Sequence, residues 1–353
     1  MSQILTAQAA AMLQQYCSQL AKGYGIDPQS LKQQFSVVGP QETRLRQALL
    51  ESADFLRMIT LADVDQIKGQ VVDVGIGSIH SGRKASGRFI KEVGVGGHNY
   101  ELTETDSGAL LSWATLAVWA NAGNEGEFLR LVNEFINQTF ALDMIRVGFN
   151  GTSAAANTNP TKNPLGQDVN KGWQQLVSEW NGGSQIIGSA QDKVYFDPAG
   201  KGDYNTLDAM ASDLINSTID PAFRNDPRLT VMVGADLVAA AQGRLYQQAD
   251  KPTEQIAAQQ LATSVAGRKA ITPPFFPGKR MVVTIPSNLH LYTQRGTRQR
   301  SAAHNQDRKG FESQYWRMEG YAVGEYRAYA SFDESGVEIK PDPAKEKTEE
   351  QTG

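Results

Sequence analysis

Residues 59–105 set the strongest limit on how this chain can fold. Val71, Val72, Val74, Ile76, and later Val93 and Val95, are spaced among Gly75, Gly77, Gly82, Gly87, Gly94, Gly96 and Gly97. Valines favour strands and glycines mark bends and bulges, so the pattern predicts a long β-hairpin or extended loop. Its middle, Ser78 to Glu92, is rich in Ser, Gly, Arg and Lys and offers little apolar surface. Such a segment gains little by folding onto a core, so it is expected to project from one.

The flanks must then supply the cores, and 353 residues suffice for two or three, or for one with long excursions. Residues 4–22 have a helical period, with Leu5, Ala9, Met12, Leu13, Tyr16 and Leu20 on one stripe before Gly23 and Gly25. Asp27-Pro28 opens a second short helix as N-cap and first helical residue, and Gly39-Pro40 breaks it. A third helix is expected over about 41–56. Three short helices joined by breaks make no core of their own and read as an arm. The clearest helix runs from Glu125 to Gly148, with Phe128, Leu131, Val132, Phe135, Ile136, Phe140, Met144 and Ile145 on a broad stripe. A polar loop over 151–170 and a helix at Trp173–Trp180 follow. Residues 200–295 read as an α/β unit, with helices at 204–216, after Gly234 and at 254–262, and strands at 229–233, 280–285 and 289–293. Tyr315 to Ile339 alternates in the manner of strands, and 343–353 is a charged, Pro-containing tail.

Composition narrows the function classes. Lys plus Arg total 34 against 38 Asp plus Glu, for a net charge of −4, unlike a chain whose main task is coating nucleic acid. Cys17 is the single cysteine, so no intrachain disulfide can form, which fits a reducing compartment. The N-terminus lacks the basic-then-apolar pattern of a secretory signal. The most apolar stretch, Ala109 to Ala122, is interrupted by Ser112, Thr115 and Asn121, so no membrane span or membrane partner is expected.

Motifs for chemistry are absent from the sequence. His80, His98, His290 and His304 lack partners at metal-ligand spacing, so no metal is expected. Neither a G-x-S-x-G elbow nor a complete phosphate-binding glycine loop occurs, and no cofactor is expected. Carboxylate pairs such as Glu101 with Glu104, or Asp203 with Asp208, lie in polar surroundings where they read as solvated or interface faces. The basic group Arg83, Lys84, Arg88 and Lys91 falls at the tip of the expected projection. Three readings stay open for it: a solvated tip, a contact to acids of a neighbouring subunit, or a contact to packaged DNA. With Glu101, Glu104 and Asp106, these residues are the candidate intersubunit contacts.

Several runs recur in an order that resembles a known family. They are Gly25-Ile26-Asp27, Gly148-Phe149-Asn150-Gly151, Asn163-Pro164, Gln167-Asp168-Val169, Gly172-Trp173 and Gly202-Asp203-Tyr204. Asp226-Pro227-Arg228-Leu229, Val231-Met232-Val233-Gly234, Phe275-Phe276-Pro277 and Asn288-Leu289-His290-Leu291-Tyr292 follow. Together, from about 24 to 330, they resemble the major capsid protein of P2-like tailed bacteriophages. The resemblance implies an α+β chain with the HK97-type capsid fold: an arm at 1–64, an extended loop at 65–106, a peripheral domain at 107–200 and 296–342 with the long helix as its spine, and an axial domain at 201–295. It implies a structural subunit rather than an enzyme, one that self-assembles into hexamers and pentamers of an icosahedral shell. The partners implied are other copies of the chain, a scaffolding protein and maturation protease, a portal protein, and double-stranded DNA inside a virion assembled in the host cytoplasm. Residues 1–35 would be removed at maturation, with the cut placed at Phe35-Ser36. The extended loop departs from the family pattern, so no Lys-to-Asn cross-link is carried over to Lys84 or Lys91. The rival readings are an HK97-fold cellular compartment shell and a cytoplasmic enzyme without a recognisable motif.

Overall fold

Two sheets divide the work of burying this sequence, and the chain passes between them repeatedly. The computed structural model describes residues 5–71, 81–89, 98–122, 125–198, 200–248 and 263–339. The first helix, α1 (Ala7–Tyr24), starts where the Thr6 side chain accepts a hydrogen bond from the Ala9 amide and ends at Gly25, whose φ of 69° is left-handed. Asp27 caps a 3-10 turn at Pro28–Lys32, and the two-residue strand β1 (Phe35–Ser36) follows. Pro40 opens α2 (Pro40–Ser52), and a 3-10 turn at Asp54–Arg57 closes the region expected to be a single helix to residue 56. The buried face of these helices does not stand alone. Ala9, Met12, Leu13, Tyr16, Leu45 and Leu49 join the same core as the long helix.

Strands β2 (Thr60–Val64), β3 (Lys68–Gln70), β4 (Asn99–Glu101) and β5 (Thr103–Ser112) come next. β3 and β4 pair antiparallel, Lys68 opposite Glu101, so the two limbs of the expected hairpin do meet at its base. Tyr100, Leu102 and Val71 bury there against Tyr292 and Ala322 in a small third cluster. Residues 81–88 are exposed. The helix α3 (Trp113–Ala122) was not expected, because Ala, Trp and Val without polar alternation show no amphipathic period to read. The long helix α4 (Glu125–Asn150) buries Phe128, Val132, Ile136, Phe140, Ala141, Met144 and Ile145. At about 1.5 Å per residue it spans roughly 39 Å.

At the end of α4 the chain turns under close contact. A Cβ on Gly151 would meet the Asn170 carbonyl oxygen at 2.1 Å, and one on Gly172 would meet the Gly148 carbonyl oxygen at 2.4 Å. Only glycine lets the polar loop return this tightly to α5 (Trp173–Glu179). Trp173 is fully buried, and its ring stands edge-on to Phe149 and Tyr321.

The remaining elements are β6 (Ile186–Ile187), β7 (Val194–Phe196), α6 (Leu207–Asp213) with a π turn to Thr218, β8 (Thr230–Val233) and α7 (Ala235–Gln248). They are followed by β9 (Ser264–Val265), β10 (Arg268–Ile271), β11 (Met281–Thr284), β12 (Leu289–Gln294), β13 (Gln299–Asn305), β14 (Gly310–Val323), β15 (Tyr329–Phe332) and β16 (Val337–Ile339). The helix expected at 254–262 and the tail at 343–353 lie outside the described residues.

One sheet runs β1-β13-β14-β12-β2, with β5 also paired to β14; the other runs β6-β15-β11-β8-β10-β9. β8 and β11 are buried at every position, as a strand covered on both faces must be. β12, read from the sequence as part of the same α/β unit as β11, joins the first sheet next to β14 and β2. The 3-10 turn at Pro286–Asn288 makes that crossing. β15 crosses back to pair with β11. Leu207, Met210, Leu214, Val231, Val233, Met281 and Phe332 form the second core.

Candidate assembly surfaces

The chain's charges are sorted into two settings, one sealed and one open. The sealed set lies where the arm meets the first sheet. Alternation along β13 and just before it puts Arg298 and Arg300 on one face, and β14 does the same for Arg317 and Glu319. Arg298 is 3% exposed and ion-pairs with Glu42 of α2 and Asp63 of β2, while Asp63 also takes Arg46 at 3.0 Å. Arg317, 1% exposed, donates from Nη2 to Glu319 Oε1 at 2.9 Å and from Nη1 to Ser107 Oγ at 2.9 Å. Burial by itself lowers the affinity of the Arg298 guanidinium for its proton. Tyr315, Asp63 and Glu42 more than offset that and hold it above the ordinary arginine range. These residues escaped sequence reading, although a charge at i and i+2 inside the aromatic run Tyr315–Val323 is a usable signal for an inward-facing ion pair.

The open set contains the predicted contact residues. Arg83, Lys84 and Arg88 are exposed, and among the described residues no ion pair reaches them. Lys91 lies outside the described residues. Glu101, Glu104 and Asp106 are exposed and follow one another along β4 and β5. Glu101 pairs with Lys68 at 2.7 Å, and Glu104 accepts from the Trp316 indole Nε1 at 2.6 Å. Asp106 stands opposite Trp316 in the β5–β14 register. The structure therefore groups the three acids on one strand path but joins none of them to the three basic residues. Phe35 and Ser36 form β1, the edge strand of the first sheet, opposite Arg300 and Gln299. Phe35 packs on Tyr24, with ring centroids 5.2 Å apart, and Ser36 is exposed.

Nothing in this geometry assembles a reactive centre from the candidate residues. Among the described residues, no group of three or more His, Cys, Asp or Glu is placed to hold a metal ion, and no helix is long and apolar enough to cross a membrane.

Comparison with known proteins gives this arrangement its setting. Residues 12–335 match the family model for the phage major capsid protein of the P2 family. The capsid protein of Escherichia phage P2 is 28% identical over 343 residues, covering 94% of this chain and 95% of the relative. The major capsid protein of Serratia phage KSP20 is 26% identical over 300 residues, covering 81% and 84%. Among solved structures, a chain of the satellite phage P4 procapsid, which includes a size determination protein, matches with a TM-score of 0.73 at 25% identity, covering 88% of this chain and 95% of that one. The mixed helix and strand architecture is thus the HK97-type shell fold, and the chain's place is the capsid of the virion, built from many copies of itself. This chain belongs to the P2 family of phage major capsid proteins.

Proposed function

We propose that this chain builds the icosahedral head of a tailed phage as hexamers and pentamers, acting through assembly and not through catalysis. The observation that carries the reading is the open charge set: three exposed cations in 81–88 without an ion-pair partner among the described residues. Within the subunit they contribute almost nothing, because solvated charges are worth about 0–1 kcal/mol even when paired. Repeated around a closed array, contacts of that size add up while each stays reversible enough to correct errors. In this reading residues 65–106 reach over a neighbour, where Arg83, Lys84, Arg88 and Lys91 meet its acids, Glu101, Glu104 and Asp106 among the candidates. Residues 1–64 form the arm, 107–200 with 296–342 the peripheral domain, and 201–295 the axial domain.

Assembly takes place in the host cytoplasm on a scaffolding protein, around a portal, and the shell then encloses double-stranded DNA. A maturation protease removes 1–35 by cutting at Phe35-Ser36. The exposure of Ser36 on a two-residue edge strand supports that position, because few hydrogen bonds hold it. The test of the electrostatic reading is assembly yield across ionic strength. Screening lengths fall from about 10 Å at 0.1 M to about 3 Å at 1 M salt, so yield should drop as salt rises. A yield unchanged across that range overturns it, and mature particles that retain residues 1–30 by mass spectrometry overturn the cut.

A further inference from the structure

A cleft lies between the end of α4, helix α5, the loop at 182–191 and the turn at Asp333–Ser335, with a volume of about 550 Å³. Arg280 and Gln174 line it, and both are almost wholly buried. The Arg280 Nη1 donates to the Phe149 carbonyl oxygen at 2.6 Å, but its Nε has no partner. No ion pair reaches Arg280 among the described residues, in contrast to Arg298 and Arg317. The other deeply buried arginine, Arg300, is bonded at both Nη atoms, to the Tyr24 hydroxyl and to Ser313. Gln174 is fixed in orientation because the Tyr329 hydroxyl donates to its Oε1 at 2.7 Å. That leaves Gln174 Nε2, on a residue that lines the same cleft, as a buried donor also without a partner. Asp333 is on the rim, where its carboxylate caps the following turn by accepting from the Ser335 amide at 3.1 Å and from the Ser335 hydroxyl.

We propose that this cleft is an oxyanion site, taking one carboxylate or phosphate group between Arg280 and Gln174. Both unfilled positions are donors, so the missing group accepts. One of the donors is a cation out of water, so the missing group is also negative. A buried charge or donor left unmatched is costly, Asp333 and Glu334 only partly offset that cost for Arg280, and a neutral acceptor would add no counter-charge. Arginine's planar fork suits a two-oxygen acceptor. Burial also holds the Arg280 guanidinium below the ordinary arginine range, because the opposing influence of Tyr329, Asp333 and Glu334 does not make up for the desolvation. The oxyanion has two sources: free phosphate, or an acidic side chain carried in by a neighbouring copy in the shell.

The test uses the full-length chain and inorganic phosphate as the probe, with chloride at matched ionic strength as the control. A ligand bound only by the folded state raises the melting temperature in a saturable way. Wild type is expected to show that rise. Gln174→Glu supplies an acidic group to Arg280 from within and keeps the acceptor for Tyr329, so it should melt higher and lose the phosphate response. Should that variant not fold, Arg280→Lys keeps the charge without the fork and must shift the phosphate midpoint upward. Absence of a saturable response in wild type, an equal response in Gln174→Glu, or an unmoved midpoint in Arg280→Lys each overturns the proposal. Assembly separates the sources. If a neighbour's acid is the natural occupant, phosphate lowers wild-type shell yield below the chloride control and Gln174→Glu assembles poorly. If free phosphate is, both assemble normally and phosphorus analysis finds the ion retained in washed wild-type shells.

Discussion

Arg317 and Arg83 are the same residue type placed under opposite constraints. Arg317 is sealed beneath β5 and answered within its own subunit by Glu319 and Ser107. Arg83 is exposed to water. A buried guanidinium is costly to leave unmatched, so one that is matched within its own chain, as Arg317 is, fixes geometry. An exposed one costs nothing to leave open, and it becomes useful only when another molecule arrives. In the proposed reading the subunit uses both kinds: a rigid body to set angles and exposed charge to meet neighbours.

The hardest way to break the sealed side is Glu319→Ala. It strands Arg317 without its carboxylate, and removing one partner of a buried pair costs about 3–5 kcal/mol. Urea unfolding of the unassembled subunit should show a loss of that size. The double replacement Arg317→Met with Glu319→Leu should recover most of it, because two apolar groups leave no unmatched charge. A single variant indistinguishable from wild type would mean the pair is hydrated in solution.

Glu42→Ala is the next step down. Arg298 keeps Asp63, so the unmatched charge is partial and the loss should be about 1–3 kcal/mol. Its location makes the readout specific. Glu42, like Arg46, is an α2 residue that ion-pairs with the first sheet, so limited proteolysis should clip the first 35 residues faster than in wild type. Equal clipping rates would show that the apolar contacts of Met12, Leu13, Tyr16 and Leu45 hold the arm unaided.

A smaller effect tests a half-buried ring whose protonation is disfavoured in the fold. His290 sits inside the first sheet with Nδ1 2.7 Å from the Tyr292 hydroxyl, and burial holds its pKa below the ordinary histidine value. The unfolded chain takes up a proton near pH 6.5 while the folded chain does not. Stability contributed by the neutral ring is therefore present above about pH 6.5 and is lost as pH falls toward the depressed folded value. His290→Gln should flatten that part of the stability profile, measured by urea midpoints between pH 7 and pH 5.

Sequence reading reached these two settings unequally, for physical reasons. The exposure of residues 81–88 was legible because glycine and basic residues without apolar periodicity have little to bury, and α4 because a stripe of eight apolar residues on a helical period admits only one reading. The caps at Asp27, Pro28 and Pro40 fall where turn chemistry puts them. Helix α3 was hidden because a segment apolar on nearly every side carries no phase. The β12 exchange between sheets was hidden because strand partners are chosen by tertiary packing, and Leu289–Gln294 would suit either sheet. The buried ion pairs were the hardest: Glu42, Asp63 and Arg298 are ordinary surface residues until the chain brings positions 235 and 256 residues apart into contact. Arg83, Lys84 and Arg88 needed no such coincidence.

Neutralising that open set should therefore have the smallest effect on the subunit and the sharpest one on the shell. Arg83→Gln, Lys84→Gln and Arg88→Gln together remove three exposed charges that no ion pair reaches among the described residues. Surface changes away from specific contacts stay within about 0.5 kcal/mol, so the urea midpoint of the unassembled variant should match wild type. Assembly yield at low salt should fall, and its dependence on ionic strength should flatten toward that of wild type at about 1 M salt, where screening has already removed the same interaction. A variant that loses stability would place these cations inside the subunit's own fold. One that assembles with wild-type yield and wild-type salt dependence would show that the projection grips by shape alone, and the division between sealed and open charge would no longer explain how copies find one another.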